Sequence, residues 1–391
     1  MKNITALAIG LLLSSWMLKA QDIGSSLPSF RELSTPGDGL LIIDFFATTC
    51  SNCVAAIPKL NKLQQQYGDR LKIVLVSEES KERVSTFFAR NEFSKGNRLP
   101  LITDDTTLSG YFRHQTLPHV VWVKENRVVA ITDGEFVQQS YIQDVLEGNI
   151  PAMPVKNDYP AFDYSKPLNS NLEQQANYSV LQGYREGASL KYGRDSMTAQ
   201  RSIREYMINV PVTAAFLYAQ MATRKLPYMK QTRMVFENVP KERFIRQQKD
   251  LPMALWERKY AISYESVLPD SLSEQERMKV IMADLNLKLG LHMRIEKRSI
   301  PCWVVDSAVT PVIAFTPDST WSKTRLSDFL FQLDIRSPDS PPVINKADGN
   351  KQVWVRKWKD LEGLKEIMRL NELRLTETDE VTEVLVIGKA N

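Results

Sequence analysis

The sequence predicts two domains, an α/β domain followed by a separate α+β domain. The chain has 391 residues, more than a single hydrophobic core ordinarily serves. Continuous apolar runs alternate with helical patterns in the first part, and a pattern of one helix and two strands occurs twice in the last part. Hydrophobic residues at 43% and charged residues at 25% are typical of a packed globular protein. The net charge of +4 argues against a nucleic-acid-binding protein.

The first 20 residues have the pattern of a secretory signal peptide. Lys2 precedes an apolar run from Ile4 to Leu18, and Ala20 offers a small residue at the cleavage point. A transmembrane anchor is the alternative, but the run is short and Lys19 interrupts it. We therefore expect residues 1–20 to be removed and the mature protein to lie in the periplasm, where disulfides are tolerated.

Residues 27–150 predict one complete α/β domain. The apolar run 39–47 predicts a buried central strand, and apolar residues spaced three apart predict a helix over 52–67. The run 71–76 predicts a second strand, which the intervening helix makes parallel to the first. The remaining predicted elements are a helix capped by Ser80, a short helix at 108–112, strands 119–123 and 127–131 joined by a turn at Glu125 and Asn126, and a helix at 136–146.

Residues 151–184 predict a linker, because 151–170 contain four prolines and little periodicity. The stretch up to about residue 260 is expected to be mostly helical. The repeated pattern follows, with its copies 82 residues apart as counted from Leu291 to Leu373. With a further helix between the copies, it predicts one α+β domain over 185–391. The predicted strands are 292–296 and 302–306 in the first copy and 373–377 and 384–388 in the second.

The motif Cys50-Ser51-Asn52-Cys53 stands where the first predicted strand ends and the first helix begins. Two intervening residues on a first helical turn bring the sulfurs close enough for a disulfide, and the helix amino terminus stabilises a thiolate at Cys50. A thiolate is the species that attacks disulfides. We therefore predict that Cys50 is the nucleophile and that Cys53, one turn deeper, resolves the mixed disulfide.

Two further residues fit this chemistry. Asp44 lies inside the apolar strand, where a carboxylate is costly unless it has a task such as taking the proton of the resolving thiol. A structural carboxylate bonded to water is the alternative for Asp44. Pro118 follows a short loop and opens a strand, which favours a cis proline that places backbone near the sulfurs. An ordinary trans proline at the first position of a strand is its alternative.

The segments DFFATTCSNCVAAIPKLNKL, LKIVLVSEE and LPHVVWV resemble the thioredoxin fold, in particular the envelope TlpA/ResA-like thiol-disulfide oxidoreductases. The resemblance covers residues 27–150 and implies a thioredoxin-like fold, a central mixed sheet flanked by helices. Thr49 stands where this family usually has tryptophan, and Ala56 where TlpA/ResA-like proteins often have an acidic residue. The resemblance implies that Cys50 is the nucleophile, Cys53 the resolving thiol, Asp44 the buried acid and Pro118 the cis proline. We expect the substrate to bind at Leu117, Pro118 and Thr49.

The carboxyl-terminal part resembles a different family. The segments KYAISYES, MADLNLKLGLHMRIEKRSIPCWVV, PPVINKADGN and LRLTETDEVTEVLVIGK are similar to a domain of unknown function found in soil-associated bacterial proteins, over roughly residues 185–390. This resemblance implies that the region is a single domain and carries over no activity. A partner of the C-terminal domain is also expected, and its identity is unknown.

We therefore predict an envelope thiol-disulfide oxidoreductase. A reductase is favoured, because Ser51 and Asn52 bring no positive charge to the thiolate. The expected partners are protein thiols and disulfides together with a membrane electron donor. No cofactor is expected, and one C-x-x-C motif with three scattered histidines predicts no metal site. The alternative is a non-catalytic adaptor whose thioredoxin fold carries a structural disulfide, and Cys302 is expected to be a buried, inert thiol.

Overall fold

The computed structural model describes residues 23–27, 33, 38–159, 162–168, 177–247, 251–308 and 315–390. The predicted signal peptide lies outside these residues. The chain divides into two compact units, of which the first runs to Phe162 and includes Pro252–Leu255. The second comprises Asp163–Leu251 and Trp256–Asn391. Among the described residues, no helix has both the length and the apolar composition needed to cross a membrane.

The first unit is a five-stranded mixed sheet flanked by helices. Its elements are β1 (Leu40–Phe45), α1 (Ser51–Tyr67), β2 (Leu71–Val76), α2 (Lys81–Arg90), β3 (Leu101–Ile102), α3 (Leu108–Tyr111), β4 (His119–Lys124), β5 (Arg127–Thr132) and α4 (Gln139–Leu146). The strand order is β3-β2-β1-β4-β5. Strand β1 is parallel to β2 and antiparallel to β4. This arrangement confirms the predicted thioredoxin-like fold class.

The central strand β1 contributes to two cores because its side chains alternate between the faces of the sheet. Leu40 and Ile42 pack in a cluster that also contains residues of α1 and α4. Leu41, Ile43 and Phe45 pack in a cluster on the other face, with residues of α3. All six residues of β1 are buried, which explains why the strand is a continuous apolar run rather than an alternating one.

The predicted hairpin of β4 and β5 is confirmed by their antiparallel pairing. Glu125 and Asn126 have φ values of 50° and 60°, the left-handed conformation that a two-residue hairpin turn requires. The edge strand β3 was not predicted. It is only two residues long and pairs with Leu75 and Val76 of β2, so it is too short to show a periodic pattern.

The second unit contains two four-stranded sheets and one two-stranded sheet. The elements are β6 (Tyr178–Gln182), β7 (Lys191–Met197), β8 (Ser202–Val210), α5 (Val212–Met221), β9 (Met234–Glu237), α6 (Met253–Tyr260), β10 (Ile262–Pro269), α7 (Glu274–Leu289), β11 (Leu291–Ser307), β12 (Ser322–Arg325), α8 (Leu326–Arg336), β13 (Val343–Asn345), β14 (Gln352–Val355), α9 (Leu361–Leu370) and β15 (Leu373–Lys389). The strand orders are β6-β10-β8-β7 and β13-β11-β15-β9, and β12 pairs with β14. Helix α6 begins within the segment that belongs to the first unit.

The expectation of mostly helical structure up to residue 260 was wrong, since β6, β7, β8 and β9 lie there. The reason is that these strands bury ion pairs as well as apolar side chains. Arg204 lies 2.6 Å from Glu265, which is fully buried, and Arg194 lies 2.8 Å from Glu205. Charged residues at buried positions remove the alternation by which a strand is normally identified.

Strands β11 and β15 are each one strand of 17 residues, where two short strands were predicted. They pair antiparallel along their whole length, and they begin 82 residues apart, at Leu291 and Leu373. Pro301 lies within β11. Trp303 donates its N–H to the carbonyl oxygen of Pro342, on the side of β11 where β13 lies. The backbone nitrogen of Pro301, two residues earlier, faces the same side. The pairing with β13 begins only at Trp303. The missing N–H of the proline therefore breaks no ladder bond.

Candidate active site

The two cysteines of the C-x-x-C motif form a disulfide at the amino end of α1, with their Cα atoms 5.3 Å apart. Cys50 is the N-cap residue, and its sulfur accepts a hydrogen bond from the N–H of Cys53 at 3.3 Å. Cys50 is partly exposed, whereas Cys53 is only 2% exposed. Thr49, Ser51 and Asn52 are exposed around them. A partner molecule can therefore reach the sulfur of Cys50 more readily than that of Cys53.

Asp44 is a buried carboxyl group in β1, 3% exposed. It shares the sheet face of Leu40 and Ile42, and these residues belong to the same buried cluster as Cys53. Burial raises the pKa of Asp44 to about 7. Its Oδ1 atom has no hydrogen-bond partner among the described residues. The group can therefore gain or lose a proton near neutral pH on the face of the sheet where Cys53 lies.

The loop 115–118 ends in a cis peptide bond between Leu117 and Pro118. In the sheet, His119 at the start of β4 pairs with Phe45 at the end of β1. The loop before β4 and the segment leading from β1 to Cys50 therefore lie at the same end of the sheet. A Cβ atom at Gly134 would lie 3.0 Å from Cγ of Pro118, so the glycine allows close approach to the proline ring.

Three residues near the disulfide were not identified from the sequence: Thr48, Glu79 and Arg83. The carboxylate of Glu79 accepts hydrogen bonds from the N–H of Thr48 at 2.6 Å and from its hydroxyl at 2.8 Å. Arg83, on α2, lies 2.7 Å from the same carboxylate. Glu79 thus holds the backbone two residues before Cys50. No sequence motif signals this contact, because Thr48 and Glu79 are 31 residues apart.

Replacing Glu79 by alanine is expected to lower the free energy of unfolding of the first unit by about 1–3 kcal/mol, because the half-buried N–H of Thr48 loses a charged acceptor. The measurement is urea unfolding followed by hydrogen exchange at the amides of β1. Glu82→Ala removes an exposed glutamate from the same region and is the matched control. Equal losses for both variants would contradict this role for Glu79.

Two residues of the predicted linker, Lys156 and Asp158, also lie at the site. Their side chains form an ion pair at 2.6 Å and are only 7% and 10% exposed. Asp158 accepts hydrogen bonds from the N–H groups of Gln115 and Thr116 at 2.8 and 2.9 Å. The chain after residue 150 therefore returns to the loop that precedes Pro118.

Other candidate residues lie apart from this arrangement. Among the described residues, no group of three or more His, Cys, Asp or Glu side chains could hold a metal ion. Cys302 is a free, fully buried thiol in β11, and burial raises its pKa. A raised pKa reduces the thiolate fraction, which is the form that reacts.

Comparison with known proteins found no matching family model, and no curated protein matched the chain. The similar solved structures include the thioredoxin domain of a thiol-disulfide oxidoreductase from Bacteroides vulgatus, 17% identical with a TM-score of 0.26, covering 34% of this chain and 100% of that one. A thiol-disulfide isomerase from Corynebacterium glutamicum is 12% identical with a TM-score of 0.26, covering 34% and 95%. The exposed lipoprotein thioredoxin Etrx1 of Streptococcus pneumoniae is 20% identical with a TM-score of 0.25, covering 28% and 85%.

Proposed function

We propose that this protein is an enzyme of the bacterial envelope that reduces disulfides in other proteins. The observation that carries the proposal is the Cys50–Cys53 disulfide at the amino end of α1, with one cysteine partly exposed and the other buried. Asp44 supplies a titratable group on the face of the sheet where Cys53 lies. The loop ending at Pro118 supplies a surface for the client at the same end of the sheet.

The first step begins from the reduced enzyme. The thiolate sulfur of Cys50 attacks one sulfur of the client disulfide. A bond forms between these two sulfurs, the client S–S bond breaks, and the second client sulfur leaves as a thiolate that takes a proton from solvent. The amino terminus of α1 stabilises the attacking thiolate, because its N–H groups and helix dipole favour negative charge.

The second step releases the client. Cys53 gives its proton to the carboxylate of Asp44 and attacks the sulfur of Cys50. The bond between Cys50 and the client breaks, and the client sulfur leaves as a thiolate that takes a proton from solvent. The client leaves with two thiols, two electrons richer, and the enzyme holds the Cys50–Cys53 disulfide. A pKa of about 7 suits Asp44 to this transfer near neutral pH, since it can both accept and release the proton. A dithiol donor at the membrane then reduces the enzyme by the reverse exchange.

The residues between the cysteines support the proposed direction of electron flow. Ser51 and Asn52 are exposed and carry no positive charge, so stabilisation of the Cys50 thiolate comes mainly from the helix terminus. Strong oxidants of this chemistry stabilise the reduced form heavily. A motif without added positive charge therefore favours a reductase. The signal-peptide pattern of residues 1–20 supports the envelope location.

Replacing Cys53 by alanine is expected to trap client proteins on Cys50. Without the second thiol the mixed disulfide is not resolved, so clients should remain attached when the variant is expressed in the envelope. Non-reducing electrophoresis shows the adducts, and mass spectrometry maps them to Cys50. The double variant Cys50→Ala/Cys53→Ala is the control and should form no adduct through the motif.

The adaptor alternative makes the opposite prediction. A structural disulfide has a reduction potential below about −300 mV, whereas an exchanging pair lies above that value. An absence of trapped clients together with such a low potential for the Cys50–Cys53 pair would replace the enzyme proposal by the adaptor.

A further inference from the structure

We propose that Asp158 is a positioning residue for the client-binding loop 115–118, and that Lys156 holds Asp158 in place. This inference rests on the proposed disulfide reductase function and adds to it a determinant of client binding. Both residues follow the predicted domain of residues 27–150 and lie in the predicted linker. The proposed redox site therefore depends on residues that lie outside the predicted domain of residues 27–150.

Asp158 uses both carboxylate oxygens to hold the loop. Its Oδ2 accepts the N–H groups of Gln115 and Thr116, at 2.8 and 2.9 Å, and its Oδ1 accepts the hydroxyl of Thr116 at 2.9 Å. Burial alone would raise the pKa of Asp158, but the hydrogen bonds from Lys156, Thr116 and Gln115 outweigh burial and lower it to about 2. The group is therefore a carboxylate at any physiological pH and does not release the loop by protonation.

Lys156 meets an acceptor for each of the three N–H bonds of its ammonium group. These acceptors are the carboxylate of Asp158 at 2.6 Å, the carbonyl oxygen of Thr116 at 3.0 Å and Nδ1 of His119 at 3.4 Å. An ammonium group only donates, so Nδ1 of His119 carries the lone pair and the ring proton is on Nε2. Burial and the nearby charge of Lys156 lower the pKa of His119 to about 3, which keeps the ring neutral.

The same contacts connect the loop to the strand that leads to Cys50. The ring of His119 stacks on that of His114 with centroids 4.8 Å apart. The ring of Phe45, the last residue of β1, lies 4.8 Å from His114 and 5.7 Å from His119. Asp158, Lys156 and the two histidines thus fix the loop relative to the end of β1.

This geometry points to client binding as the step that Asp158 affects. Loops are ordinarily mobile, and an extended client can pair only with backbone that is held in one conformation. The attack of Cys50 on a small disulfide needs the helix terminus and the sulfur and does not need the loop. Loss of Asp158 should therefore weaken the binding of protein disulfides and leave the reactivity of Cys50 intact.

The test compares full-length Asp158→Ala and Asp158→Asn with the wild-type protein. The first probe is insulin, reduced with dithiothreitol as electron donor, which gives kcat and KM. The second is dithiobis-nitrobenzoate, mixed with the pre-reduced protein in a single turnover. Asparagine can still accept the two loop N–H groups, whereas alanine cannot. Asp163→Asn changes an exposed aspartate five residues further along the chain and is the control.

We expect Asp158→Ala to raise KM for insulin by about tenfold, the factor that corresponds to one lost charge-assisted hydrogen bond. Asp158→Asn should lie between alanine and wild type, and kcat and the rate with the small disulfide should not change. An unchanged KM, or a uniform fall of kcat and of the small-disulfide rate, would overturn this inference alone. A wild-type protein that reduces only the small disulfide would overturn the proposed reduction of protein disulfides and this inference with it. A wild-type protein that reduces neither probe would overturn the proposed function and the inference with it.

Discussion

Replacing Cys50 by serine is expected to reduce the rate of insulin reduction to the rate of dithiothreitol alone. The serine hydroxyl forms no mixed disulfide, and the remaining thiol of the motif, Cys53, is only 2% exposed. A buried thiol supplies little thiolate to a client, because burial disfavours the charged form. The measurement is the steady-state insulin assay for wild-type and variant proteins at equal concentration.

Cys302→Ala is the matched control for the loss of one sulfur. Cys302 is fully buried in the second unit, and burial raises the pKa of its thiol, so the variant should keep wild-type turnover. The opposite pattern, with activity retained by Cys50→Ser and lost by Cys302→Ala, would place the reactive sulfur in β11 and contradict the proposed mechanism.

The elements that the sequence predicts well are those set by local chemistry. The continuous apolar run of β1, the periodic helix α1 and the hairpin turn at Glu125 and Asn126 each depend on neighbouring residues, and the structure contains all three. The C-x-x-C motif belongs to the same class, because its two cysteines fall on one helical turn whatever surrounds them. Hence the disulfide and its position at the end of α1 can be read from the residues themselves.

The supporting residues of the site cannot be predicted in this way. Glu79 meets Thr48 across 31 residues, and Asp158 meets Thr116 across 42. Each is one polar side chain that binds backbone N–H groups, and almost any residue can supply an N–H group. Neither the periodicity nor the spacing of residues therefore predicts which side chain binds which N–H group. Proline-rich chain after residue 150 also has the composition of a linker, although Lys156 and Asp158 are nearly buried.

Contacts between distant residues also explain why strands of the second unit could not be predicted from the sequence. Buried ion pairs such as that of Arg204 and Glu265 satisfy charged groups inside a sheet, so the strands lose their apolar alternation. The 82-residue repeat could be found because β11 and β15 have similar apolar patterns at their ends. Their charged middle parts have no such pattern, so the sequence predicts two short strands in place of each long one.

Asp44 makes the stability of the oxidised first unit depend on pH. Burial raises its pKa from 3.8 to about 7, so between these values the folded state binds a proton that the unfolded chain releases. The free energy of unfolding therefore falls as pH rises through this window. A difference of about three pKa units corresponds to about 4 kcal/mol, which is lost once the buried carboxyl is ionised in the folded state.

Asp44→Asn is expected to remove this dependence. Both side chains are neutral at about pH 4, whereas at about pH 8 only the wild type holds a buried charge, so the stability of the variant relative to wild type should increase by about 4 kcal/mol between these conditions. Comparing the two conditions cancels the constant cost of placing an amide in the strand. The measurement is urea unfolding with hydrogen exchange at the amides of β1 and β4, which reports the first unit separately from the second.

Asp69→Asn, at an exposed position of the same unit, controls for the loss of one carboxylate. A stability difference that stays constant from low to high pH would show that Asp44 does not titrate near neutrality, and it would remove the proton acceptor assigned to Cys53.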